Sequence, residues 1–187
     1  MEKFSSKKAE HHYKCFMEAL GIRTDTAHTK DTPARVTRMF RELTEGLREP
    51  KFTFTAFPKE PKHTYDQLVV VNNIPLFSLC AHHHTPYYGK AAVGYLPDKK
   101  IIGLSKIVRV VIWKARQPSI QEDLTEQIAD LLVEELKPRA VCVLLRCEHL
   151  CISSRGVQQP GTETITHCLR GEGMNIKEEF LTLLGVK

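Results

Sequence analysis

Apolar positions along this chain run at helical spacing first and fall into short β-branched or alternating blocks later. Over residues 6 to 20, Tyr13, Phe16, Met17 and Leu20 share one helical face and Gly21 supplies a stop, which predicts an amphipathic helix. After turn-rich residues 24 to 30, Asp31-Thr32-Pro33 predicts the start of a second helix, because a proline in the first turn forfeits no helical hydrogen bond. Its stripe is Val36, Met39, Phe40, Leu43 and Leu47. A connection rich in Pro and Lys, residues 49 to 64, then leads to Leu68-Val69-Val70-Val71, a predicted strand. Gly89 to Leu96 predicts a second strand, and Pro97 to Lys100 a turn. Leu104, Ile107, Val108, Val111 and Ile112 return to helical spacing until Pro118. Ile120, Leu124, Ile128, Leu131, Leu132 and Leu136 mark a longer helix that ends before Pro138. Ala140 to Leu145 and the alternating Thr162 to Thr166 predict two more strands, and residues 175 to 184 a closing helix.

Two strands, two helices and two strands predict an α+β fold, an antiparallel sheet with helices on one face, preceded by N-terminal helices. The expected division is a helical region over residues 1–48 and an α+β domain over residues 49–187. Such a sheet has open edges, so pairing with further copies of the chain is expected.

Composition narrows the function classes. A hydrophobic fraction of 42% and a charged fraction of 26% are those of an ordinary globular chain. The net charge of +5 is spread among acids rather than gathered into a Lys/Arg block, which favours a local polyanion site over nucleic acid. No apolar run is long enough for a bilayer and the first residues lack a signal core, so the expected compartment is the cytoplasm. Cys15, Cys142, Cys147 and Cys168 lack framework spacing and are expected to be reduced packing residues.

Residues 78 to 88, Ser-Leu-Cys-Ala-His-His-His-Thr-Pro-Tyr-Tyr, hold a density of metal-ligand types that packing does not require. Cys80 and His83 are three apart, so one turn can aim a thiolate and an imidazole at the same ion. His149 and Cys151, two apart, share a face if their segment is extended. Two thiolates and an imidazole leave the fourth tetrahedral position of a zinc ion to water, as a catalytic site requires. A fourth protein ligand would make the site a structural staple, and spacing alone leaves both readings open.

Four stretches in order resemble GTP cyclohydrolase I: Cys80-Ala-His-His, Gly103-Leu-Ser-Lys-Ile-Val-Arg109, Gln121-Glu122 with Leu124-Thr125, and His149-Leu-Cys151 with Ser154-Arg155-Gly156. Asp31-Thr-Pro-Ala-Arg35 precedes them. The resemblance implies the tunnelling fold (T-fold) and a homodecamer of two pentamers with active sites at subunit interfaces. It implies that GTP and water become formate and 7,8-dihydroneopterin triphosphate, the entry to folate, tetrahydrobiopterin and some deazapurine pathways. By position, Cys80, His83 and Cys151 become the zinc ligands, and His149 gives a proton to the guanine ring nitrogen beside the attacked C8. His82 and Ser105 serve the ribose rearrangement. Glu122, with Gln121, binds the guanine edge, whose adjacent N1 and amino hydrogens suit a carboxylate. Lys106, Arg109, Arg155, Arg35 and Arg38 form the triphosphate cradle. His84 and His167 match no catalytic position. One position departs: the family's motif has Glu where this chain has Ala81. The alternatives are therefore another T-fold purine or pterin enzyme, or a GTP-binding decamer impaired by Ala81.

Overall fold

A computed structural model describes residues 4–48, 52–60, 62, 65–172 and 175–185. The chain forms two compact units, Met1–Glu45 and Gly46–Lys187. The first holds helices α1 (Ser6–Ala19) and α2 (Thr32–Leu43). Ser5 caps α1 by accepting from the Lys8 N–H, and Pro33 lies in the first turn of α2 as its sequence predicts. The stripes are covered only in part. Met17 is buried, but Phe16 and Leu20 are 56% and 61% exposed within the described residues, because two helices cannot enclose a whole apolar face between them.

The second unit is built on an antiparallel sheet of β2 (Val69–Leu79), β3 (Pro86–Leu96), β5 (Ala140–His149) and β6 (Glu163–Gly171), in the order β2-β3-β5-β6. Between β3 and β5 the chain makes α3 (Leu104–Ala115) and α4 (Gln121–Leu136), the strand–strand–helix–helix–strand–strand order expected from the sequence. A further two-stranded ladder, β1 (Ala56–Pro58) with β4 (Lys100–Ile102), replaces part of the expected connection and turn. β2 runs well past Val71. Asn72, Asn73 and Pro75 hide its continuation in the sequence, but a register shift between Val71 and Ile74 absorbs the asparagines, and Pro75 is tolerated because β2 is an edge strand.

Strand alternation sorts the core into two layers. Val141, Val143, Leu145 and Cys147 of β5 meet Ile107, Val110 and Val111 of α3 and Leu124, Ile128 and Leu132 of α4. Ala140, Cys142 and Leu144 point the other way, toward Ile176 and Phe180 of α6 (Ile176–Leu183). Coverage on both faces accounts for the unbroken apolar run in β5. Gly94 makes room for this second layer, since a Cβ there would lie 2.8 Å from the Phe180 ring. At the far end of β5 the chain turns directly into α5 (Leu150–Ser153).

Candidate active site

The metal-ligand types gather where β2 and β5 end. After Leu79 the chain folds into a tight turn in which the His84 N–H donates to the Cys80 carbonyl at 2.8 Å, and the Cys80 N–H donates to the Thr85 carbonyl at 2.9 Å. His84 takes φ +52, a left-handed conformation that closes the turn and leaves its own ring exposed. The segment before α4 clasps the same turn: Ser119 N–H donates to Leu79 O at 3.1 Å and Ala81 N–H donates to Ser119 O at 3.2 Å. These bonds hold the first turn of α4, with Gln121 and Glu122, beside Cys80.

Cys80, His83 and Cys151 converge, with one ligand atom from each lying within 4.8 Å of the others. His83 presents Nδ1 to the Cys80 Sγ at 3.8 Å. Cys151 reaches this cluster by a route unlike the extended segment considered above. The strand stops at His149, and Cys151 sits in the short α5, so the two side chains do not share a strand face. The Cys151 thiol is pushed above its usual range, first by burial and then by the neighbouring Cys80. A divalent cation beside the Cys151 sulfur would offset the cost of its negative charge. The donor set of two sulfurs and one imidazole nitrogen fits zinc.

Beside the cluster, register sets the position of His149. Tyr87 and His149 are direct cross-strand partners, and their rings stack with centroids 4.6 Å apart and planes 7° apart. Tyr87 is fully buried and its hydroxyl lies 3.3 Å from the Ser119 Oγ. His149 Nε2 lies 2.8 Å from the Gln121 Oε1. Burial pulls the His149 imidazole below its ordinary pKa, while the Glu122 carboxylate works in the opposite direction. Glu122 is exposed in the first turn of α4, where a negative charge suits the helix N-terminus.

His82 is exposed on the turn, its ring edge-on to His83 at 6.2 Å. Ser105 is exposed, and Lys106 part-buried, in the first turn of α3, with Arg109 exposed one turn on. Arg155 is exposed just after α5. Arg35 and Arg38 lie on α2 of the first unit, both exposed, and Arg35 pairs with Asp31 at 3.5 Å. Ala81 presents an exposed methyl group between Cys80 and His82.

The other cysteines divide. Cys142, Cys147 and Cys168 are buried free thiols, burial pushing Cys142 up to about 11 and Cys147 to about 12. Cys15 is exposed on α1, so it is not the packing residue expected. Tyr87, Ser119, Thr125 and Thr166 bear on the site without having been singled out. The i,i+4 spacing of Gln121 and Thr125 and the alternation of Thr164 with Thr166 were available signals.

Among the described residues, no helix is long and apolar enough to cross a membrane. The family model described as GTP cyclohydrolase I matches residues 9–185. GTP cyclohydrolase 1 of Aquifex aeolicus (strain VF5) is 44% identical over 181 residues, 95% of this chain and 96% of that protein. The GTP cyclohydrolase 1 of Hydrogenobaculum sp. (strain Y04AAS1) is 43% identical over 174 residues, 91% of this chain and 93% of its own length. That of Carboxydothermus hydrogenoformans (strain ATCC BAA-161 / DSM 6008 / Z-2901) is 42% identical over 184 residues, covering 96% and 94%.

Proposed function

The chain belongs to the GTP cyclohydrolase I family, and from that membership we propose a zinc-dependent enzyme that converts GTP and water to formate and 7,8-dihydroneopterin triphosphate. The observation that carries the reading is the convergence of Cys80, His83 and Cys151 beside His149 and Glu122. Zinc held by those three ligands would supply Lewis acidity and a water of lowered pKa at its fourth position.

The chain's own residues do the rest. Glu122 accepts from the guanine N1–H and amino group, which adenine cannot reproduce because it has an acceptor at that edge. His149 delivers a proton to the imidazole nitrogen of the base as the five-membered ring opens, and Tyr87 fixes its plane by stacking. His82 and Ser105 move protons at the ribose. Lys106, Arg109 and Arg155 hold the triphosphate through charge-assisted hydrogen bonds, a role the family resemblance also gives to Arg35 and Arg38. Gln121 belongs to the base-binding set in this reading.

β2 and β6 are the sheet's edges, and their pairing with neighbouring copies would build each pentamer of a two-pentamer decamer, with active sites at subunit interfaces. We propose a cytoplasmic enzyme in which the N-terminal helical region precedes the catalytic domain. The exposed methyl of Ala81 supports a second reading, in which GTP binds and its ring opens but the sugar rearrangement is impaired.

One assay separates these. The zinc-loaded protein is incubated with GTP or ATP, and formate, ring-opened nucleotide and pterin fluorescence are followed together. Formate and pterin from GTP alone support the first reading, and ring-opened product without pterin supports the second. Absence of any GTP consumption would overturn both.

A further inference from the structure

Gln121 is almost fully buried, yet it is the polar side chain in closest contact with the His149 ring. Its amide orientation follows from its neighbours. Gln121 Nε2 lies 3.1 Å from the Thr164 carbonyl and 3.4 Å from the Leu145 carbonyl, and a carbonyl oxygen only accepts. The nitrogen is therefore on that side, and Oε1 is the atom that faces His149 Nε2 at 2.8 Å.

The threonines around it close the assignment. Thr125 Oγ1 donates to the Gln121 backbone carbonyl at 2.7 Å, so its single proton is used. At the 2.6 Å contact between the two hydroxyls, Thr166 must then donate to Thr125. Thr166 Oγ1 is left to accept from Gln121 Nε2 at 3.0 Å. The ring of donors runs one way, from the Gln121 amide to Thr166, to Thr125 and back to the Gln121 backbone. Turning the amide over would set its oxygen against two carbonyls and leave Thr166 without its donor, at a buried site where unmade hydrogen bonds are costly.

We infer that Gln121 is a positioning residue that holds His149 as the Nε2–H tautomer, leaving Nδ1 as the nitrogen through which His149 gives and takes a proton. The neutral imidazole must donate from Nε2 because Gln121 Oε1 can only accept. Together with the Tyr87 stack, this bond fixes both the plane and the rotation of the ring. Gln121 thus moves from the base-binding set to the support of the proton-transfer group, with both ends of its amide already engaged by protein. The inference rests on the proposed role of His149 in catalysis, but the tautomer itself does not.

The test has two parts. Nitrogen-15 spectra of the zinc-loaded enzyme, labelled at histidine and without substrate, are recorded at about pH 8, with His149 assigned by its absence in His149→Ala. A protonated Nε2 and an unprotonated Nδ1 are expected, with the Nε2 proton exchanging slowly. A protonated Nδ1 in the wild type overturns the inference whether or not the protein turns over GTP. Gln121→Leu, close in volume, should lose the slow-exchanging proton and lower kcat about ten- to hundredfold with KM for GTP within about twofold. A raised KM at unchanged kcat would return Gln121 to substrate binding and contradict the assignment.

Discussion

β5 and the short helix that follows it carry the same residue type into opposite chemistry. Within β5, Cys142 and Cys147 are closed in by apolar layers on its two faces, and burial pushes their thiols to about 11 and 12. Four residues beyond Cys147, Cys151 is also pushed up by burial, but its further cause is a second thiol, Cys80, with the His83 imidazole in reach. A thiol among hydrocarbons has no use for its proton's loss, whereas two thiols and an imidazole form a set that a divalent cation completes. The difference is made by the turn after β2 and by the end of β5 at His149, not by the cysteines.

The sharpest way to break this comparison is to remove one cysteine from the strand and one from the segment beyond it. Cys151→Ala is expected to lose both stoichiometric zinc and all measurable GTP turnover, because two ligands do not hold the ion. Cys147→Ser should keep both and lose about 1–3 kcal/mol of stability, the cost of burying a hydroxyl in an apolar layer. Metal analysis and thermal or denaturant unfolding read the pair. Full zinc in Cys151→Ala would remove the basis of the comparison.

Next in size is His149→Ala, which should retain zinc while kcat falls by about 10²–10⁴, the usual contribution of a positioned acid or base. Loss of metal along with activity would make His149 a ligand. Glu122→Gln is expected to weaken GTP binding by about 1.5–3 kcal/mol, roughly ten- to hundredfold, measured by calorimetry. If the wild type bound ATP and GTP equally, Glu122 would have no part in base selection.

Chelation sharpens the contrast between the strand and the segment beyond it without mutation. In the zinc-loaded protein a thiol reagent near neutral pH should modify Cys15, which is exposed, and leave Cys142 and Cys147 untouched. After chelation Cys151, which is half-buried, should join Cys15, with Cys142 and Cys147 still protected by burial and by thiol pKa values well above the working pH. Peptide mapping that found Cys147 among the modified residues would contradict the sealed layer. The smallest effect expected is at Ala81: Ala81→Glu should raise pterin formation a few-fold relative to ring opening, by restoring a carboxylate beside His82. Identical time courses for the two proteins would make Ala81 a neutral substitution.

The regular elements were legible because each announces its own period. α3 and α4 follow their stripes nearly to the residue, and β5 is an apolar run of strand length. What escaped was set by pairing at a distance. β2 continues through Asn72, Asn73 and Pro75 because β3 accepts a register shift, which local propensity does not encode. The short α5 was hidden because four residues are too few to show a period, and it changes how Cys151 arrives at the cluster. In the site, Cys80 and His83 were readable from spacing within one turn. The Tyr87–His149 stack depends on the register of β3 against β5, and the Gln121 network on α4 meeting β6, so neither leaves a local trace.

X-ray absorption at the zinc edge tests the central claim, a three-ligand site with an open position, most directly. The zinc-loaded protein without substrate should give two sulfurs at about 2.3 Å and two lighter scatterers at about 2.0–2.1 Å, only one of which shows the multiple scattering of an imidazole. Two imidazoles with two sulfurs would fill the fourth position from the protein, and the account of an open catalytic centre would be wrong.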